Sequence, residues 1–167
     1  MHKARTSPVL CGLLTVACLL PAKGQDSAVV AVASLTDPAK LATLSKERAA
    51  NPRLLKCLYW LNEARSRDVS PESVIFDAQK IQRSNGPRAA LVRDSLLRDL
   101  DIAEKLGCLT PENLEKMRHG KSPMVTLGPY AGQPAEIDHV IPLSVAPALG
   151  KEIANLELMP RTLNRKT

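Results

Sequence analysis

The chain has 167 residues, 44% hydrophobic but only 2% aromatic, and carries a formal net charge of +6. That length suits one ordinary domain or two very small ones, and the composition excludes a core built on aromatic rings. Leu, Ile, Val, Ala and Met must fill it, which favours helices. The charge is compatible with a polyanionic partner but does not require one.

Residues 1–24 read as an export signal. His2, Lys3 and Arg5 form a basic start, Val9 to Leu20 is an apolar run, and Ala22-Lys23-Gly24 offers a small-x-small cleavage pattern. The run is shorter than the ~20 residues a membrane-spanning helix needs. Removal of this segment leaves 20 basic against 17 acidic residues. The expected location is secreted or periplasmic, with no stable membrane insertion unless Cys18 is lipidated, since Leu14 to Cys18 resembles a lipoprotein signal.

Residues 25–35 are small and mixed in polarity and are expected to form a flexible lead-in. From Thr36 the chain turns helical, and residues 36–119 form a helical region. Asp37-Pro38, Asn51-Pro52, Ser70-Pro71 and Thr110-Pro111 each place a capping side chain before a proline suited to the first helical position. These pairs predict helices near 38–50, 52–67, 71–83 and 111–118. A fourth helix in chain order, near 88–106, is closed by Gly107. Leu54, Cys57, Leu58, Leu61 and Ala64 share one helix face, as do Ala89, Val92, Leu96, Leu100, Ala103 and Leu106. Both stripes are core candidates.

Cys57 and Cys108 are the two cysteines beyond the signal, and in an oxidising compartment they are a disulfide candidate. A loop of that size is worth about 4 kcal/mol in the chain-entropy model. The alternative is a pair of buried free thiols. His119 fits a helix end near the negative pole of the dipole, or a second functional histidine.

Composition shifts near Gly120, and residues 120–167 are read as a separate small unit. Met124 to Leu127, Ile137 to Ile141 and Leu156 to Met159 are strand candidates. Gly128 to Gly132 is a turn cluster, and Pro160 opens a short terminal helix. A helix that short is predicted to fray. The fold class is therefore α+β: a helical N-terminal part followed by a small ββα unit.

Residues 136–167 hold the chemistry. Asp138 offers hard anionic oxygen for Mg²⁺ or Mn²⁺, and Asn164 a neutral amide oxygen for the same ion. His139 can exchange a proton near neutral pH. Asn155 can bond backbone groups across the 142–154 loop. Arg161, Arg165 and Lys166 can neutralise phosphates. Glu136 shares a strand face with Asp138, either supporting the site or standing at its edge.

Asp138-His139-Val140-Ile141-Pro142, then Asn155-Leu156, then Asn164-Arg165-Lys166 resembles the HNH endonucleases, the ββα-metal nucleases. Their motif runs D-H-[IV]-[IV]-P, a variable loop, N-L, and a helix bearing His or Asn before Arg or Lys. The paired CxxC zinc knuckles of many relatives are absent. The resemblance implies that His139 is the general base, Asp138 and Asn164 the metal ligands, and Asn155 the structural asparagine; these four make up the catalytic set. It implies an endonuclease that hydrolyses nucleic acid with a single divalent ion, Mg²⁺ ahead of Mn²⁺, and together with the export signal a secreted one. The products would carry 5′-phosphate and 3′-hydroxyl ends. DNA is favoured over RNA as the partner, bound through its backbone with little sequence preference. The alternative is an inactive HNH-like module of the cell envelope that binds nucleic acid or another partner.

Overall fold

The computed structural model describes residues 23–165. Its helices are α1 (Lys23–Leu35), α2 (Pro38–Ala42), α3 (Asn51–Arg65), α4 (Pro71–Ile81), α5 (Pro87–Lys105) and α6 (Pro111–Arg118). Two antiparallel strands follow, β1 (Ala135–His139) and β2 (Leu156–Pro160), and then α7 (Arg161–Asn164). The class is α+β, mostly helical. Residues 1–22, with the expected export signal and Cys18, lie outside the described residues, as does Lys166. Among the described residues, no helix is long and apolar enough to cross a membrane.

Local chemistry sets the start of three of these helices. Asp37 Oδ1 accepts from the Ala39 amide at 2.8 Å, Ser70 Oγ from Ser73 at 3.4 Å and Thr110 Oγ1 from Asn113 at 3.3 Å. Each satisfies an otherwise orphaned helical N–H. Asn51 departs from that pattern. It is the first residue of α3 rather than its cap, and its Nδ2 donates to the Ile137 carbonyl in β1 at 3.2 Å. Gly107 follows α5 with φ +66°, a conformation glycine adopts without steric cost.

Three expectations are corrected. Residues 25–35 are helical within α1, not a lead-in. Ala28, Val29, Val32 and Ala33 form its buried face, and α1 packs on α3 and α4. Its terminal carbonyls are satisfied from a distance: Arg53 donates to Ser34 and Leu35, and Gln82 to Ala33. The helix expected over 38–50 stops at Ala42 and resumes as a 3₁₀ turn at Glu47–Ala50. Thr43 Oγ1 donates to the Lys40 carbonyl at 2.8 Å, a local bond of the kind that competes with helix continuation. Met124–Leu127 is not a strand. Met124 makes only an isolated bridge to Pro134, while the Thr126 and Leu127 amides donate to the Leu106 carbonyl.

Helix α3 lies at the centre, with Leu54, Leu58 and Leu61 wholly buried among residues of α1, α4, α5 and α6. The same continuous core takes in Ala135, Ile137, Ile153, Leu156 and Leu158. The strand unit therefore has no separate core; it is built onto α5. Leu106, expected in the α5 stripe, is only partly buried.

The pairing of Cys57 with Cys108 is not made. Both are free thiols, each 0% exposed and packed as small apolar core side chains. Burial pushes the Cys57 thiol up to about 12 and the Cys108 thiol up to about 11.

Candidate active site

Strand β1 is amphipathic, with Ala135, Ile137 and His139 buried and Glu136 and Asp138 on the open face. Register pairs Asp138 with Glu157 and Glu136 with Met159, so these four share one face. His139 ends the strand. As a result it borders the same opening as Asp138 despite pointing to the other side.

That opening is a cavity of about 490 Å³, lined by Asp138, His139, Glu157, Met159, Asn164 and Arg48 among others. Three residues expected to act together thus line one cavity, although Asn164 lies 25 positions beyond His139.

His139 is 8% exposed, and its Nε2 lies 3.1 Å from the Gly150 carbonyl. A carbonyl can only accept, so Nε2 carries the hydrogen and the neutral ring keeps its lone pair on Nδ1. The bond fixes both the ring's orientation and its tautomer.

Asn155 holds the loop beside Gly150, at Leu149. The Asn155 Oδ1 accepts from the Ile141 amide at 2.8 Å, and its Nδ2 donates to the carbonyls of Ile141 at 3.0 Å and Leu149 at 3.4 Å. The Val140 amide donates to the Asn155 carbonyl. Asn155 therefore ties both ends of the 142–154 loop, one residue from the His139 contact.

Helix α7 is short but anchored. The Arg161 amide donates to the Pro134 carbonyl at 3.0 Å. The amide and hydroxyl of Thr162 both donate to Gln133 Oε1, at 2.9 and 2.6 Å. Glu136 supplies a further hold: Oε1 accepts from Arg161 Nε at 2.6 Å and Oε2 from Asn164 Nδ2 at 3.1 Å. Of the two amide atoms of Asn164, Oδ1 is the one whose chemistry suits a cation. Arg161 has Glu136 as its partner, while Arg165 borders a neighbouring cavity of about 520 Å³. His119 is exposed just past the C-terminal end of α6, 2.9 Å from Glu115, and is not among the described residues lining the cavity.

Two charged residues of the lining, Glu157 and Arg48, lie outside the motif. Glu157 faces Asp138 across the strands, where like charges oppose each other. Arg98 lies 3.2 Å from Glu157 and offsets part of that repulsion. The only sequence clue to Glu157 was the open position between Leu156 and Leu158, which pairing turns toward the cavity. Arg48 comes from the turn before α3, and nothing in its sequence neighbourhood pointed to the site.

The outer edge of β2 is capped by side chains of α5. Asp99 Oδ1 accepts from the Leu158 amide at 2.8 Å, and Arg98 donates to the Leu156 carbonyl at 3.0 Å. Asp99 is 0% exposed. Burial pushes its carboxyl up to about 7, against the opposing pull of the Leu158 N–H and Arg98.

The donors around Asp138 and Asn164 are oxygens, which suit Mg²⁺ or Mn²⁺ better than a thiophilic ion. Among the described residues no three His, Cys, Asp or Glu side chains group as a cation cage. One carboxylate and one amide is nonetheless the kind of incomplete shell Mg²⁺ accepts, since it retains waters and takes substrate oxygens.

No protein-family model matches the chain, and no curated protein and no solved structure matches it.

Proposed function

We propose that this protein is an exported, metal-dependent endonuclease of the HNH or ββα-metal kind, hydrolysing phosphodiester bonds in DNA. One observation carries the reading: Asp138, His139 and Asn164 border a single open cavity. The bond from His139 to Gly150 and the Asn155 clamp add support, because a general base needs a fixed ring and a known basic nitrogen.

In the proposed reaction His139 Nδ1 takes a proton from a water that attacks phosphorus in line with the departing 3′ oxygen. Asp138 and Asn164 would hold the divalent ion. Bound there, the ion would supply Lewis-acid stabilisation of the charge developing on phosphoryl and leaving oxygens. Glu136 keeps Asn164 and α7 in place. Glu157 adds negative potential beside Asp138 and favours cation entry. Little base selectivity is expected, because the lining offers contacts to backbone phosphates.

The test is cleavage of supercoiled plasmid with Mg²⁺ or Mn²⁺, the native chain beside His139→Ala. Loss of the base should slow cleavage by about 10²–10⁴-fold. Equal rates in both chains, or none in either with several metals, would refute the assignment. Binding without cleavage would move the protein to the non-catalytic module.

A further inference from the structure

The helical region contributes to the cleft directly. Arg48 lies in the 3₁₀ turn Glu47–Ala50, some 90 residues before the motif, and its side chain is exposed. It lines the cavity of Asp138 and His139 and also the neighbouring cavity of about 520 Å³. Asn164 is likewise common to both. The two openings thus meet along a boundary marked by Arg48 and Asn164, and a chain lying in one has a path into the other.

The second opening is built largely by the helical region. Asn51 forms one wall and is tied to β1 through the Ile137 carbonyl. Gly120, just past α6, lies against the start of α3 with φ +71°; a Cβ there would stand 2.7 Å from Pro52 Cβ. The charges bordering this opening are Arg48, Arg165 and Glu136. Both Glu136 oxygens are already engaged, by Arg161 and Asn164. Among the described residues Arg48 has no carboxylate partner. Among the described residues, two guanidinium groups therefore border an opening whose single carboxylate is already compensated.

We infer that Arg48 and Arg165 form a second phosphate seat, binding the backbone phosphate next to the one cleaved, so that the helical region takes part in holding the strand. The inference rests on the nuclease reading for the identity of the ligand, a phosphodiester strand. Guanidinium suits the role because its planar fork donates two parallel hydrogen bonds to phosphate and stays charged at any working pH. Because the seat touches a non-reacting phosphate, its loss raises KM and leaves kcat near its original value.

The experiment measures binding of a short labelled DNA duplex to the His139→Ala chain with chelator present, from about 50 to 200 mM salt. Adding Arg48→Ala should weaken binding and flatten the slope of log K against log salt by about 0.9, the value for one lost phosphate contact. Arg48→Lys should keep most of the slope, and thermal melting should show all three variants folded. A folded Arg48→Ala variant with unchanged affinity and slope overturns the inference, as does a parent that binds no duplex. Plasmid cleavage by the native chain is read separately. Cleavage with an Arg48→Ala variant of unchanged KM defeats this inference alone; an altered slope without cleavage by the native chain supports the seat and defeats only the nuclease reading.

Discussion

Replacing Asp99 by Asn tests how the strand unit is held to the helices. Asp99 is wholly buried on α5 and accepts the Leu158 amide, so the outer edge of β2 depends on it. Burial raises its carboxyl from 3.8 to about 7. A raised acid binds its proton more tightly in the folded chain than in the unfolded one. The contribution is therefore least harmful below the unfolded value, and stability is lost as pH rises through the folded value. Three units at about 1.36 kcal/mol each give about 4 kcal/mol once both states are ionised. Asparagine keeps an oxygen for the Leu158 amide and never ionises. Its added amide would face Ser95 Oγ, now 3.4 Å from Asp99 Oδ2, which can turn to accept. Any fixed cost of that rearrangement is independent of pH, so the pH trend is the diagnostic quantity. Urea unfolding followed by circular dichroism should show Asp99→Asn gaining on the native chain by about 2 to 3 kcal/mol between pH 5 and pH 8. Parallel stability curves, or a native chain that gains on the variant with pH, would refute the reasoning. The latter would mean that the Leu158 N–H and Arg98 outweigh desolvation.

Two further outcomes follow from the same contacts. Asn155→Ala removes the partner of the Ile141 amide and two carbonyl contacts, and should cost about 1–3 kcal/mol in urea unfolding. It should also lower the cleavage rate, because the loop carrying Gly150 loses its tie; unaltered stability would show that the clamp contributes nothing. Cys57 and Cys108 should resist a thiol reagent in the folded chain and react only on unfolding, since both are buried and their thiols are raised to about 12 and about 11. Reagent uptake only after reduction would instead reveal a disulfide.

Much of the helical architecture was legible because its determinants are local. Asp37, Ser70 and Thr110 each cap a helix within three residues of themselves. The stripes of α3 and α5 repeat at the helical period, and burial follows them closely. Helix α1 was not legible. No Ser, Thr, Asp or Asn stands directly before Lys23 to cap it, and its short stripe of Ala and Val gains meaning only against α3 and α4. The short α7 was expected to fray for want of internal bonds. Gln133, Pro134 and Glu136 hold it from outside the helix.

By itself the sequence determined which groups are available for chemistry: an acid beside a histidine, and two asparagines nine positions apart. Those are chemical identities, and spacing along the chain suffices to list them. Only the tertiary structure decided where they sit. Antiparallel register set Glu157 opposite Asp138, and packing of the strands on α5 helped place Arg48 and Asn164 on the same two cavities, though more than a hundred residues separate them in sequence. The physical reason is that such placements follow from burying one shared core, a property of the whole chain rather than of any segment of it.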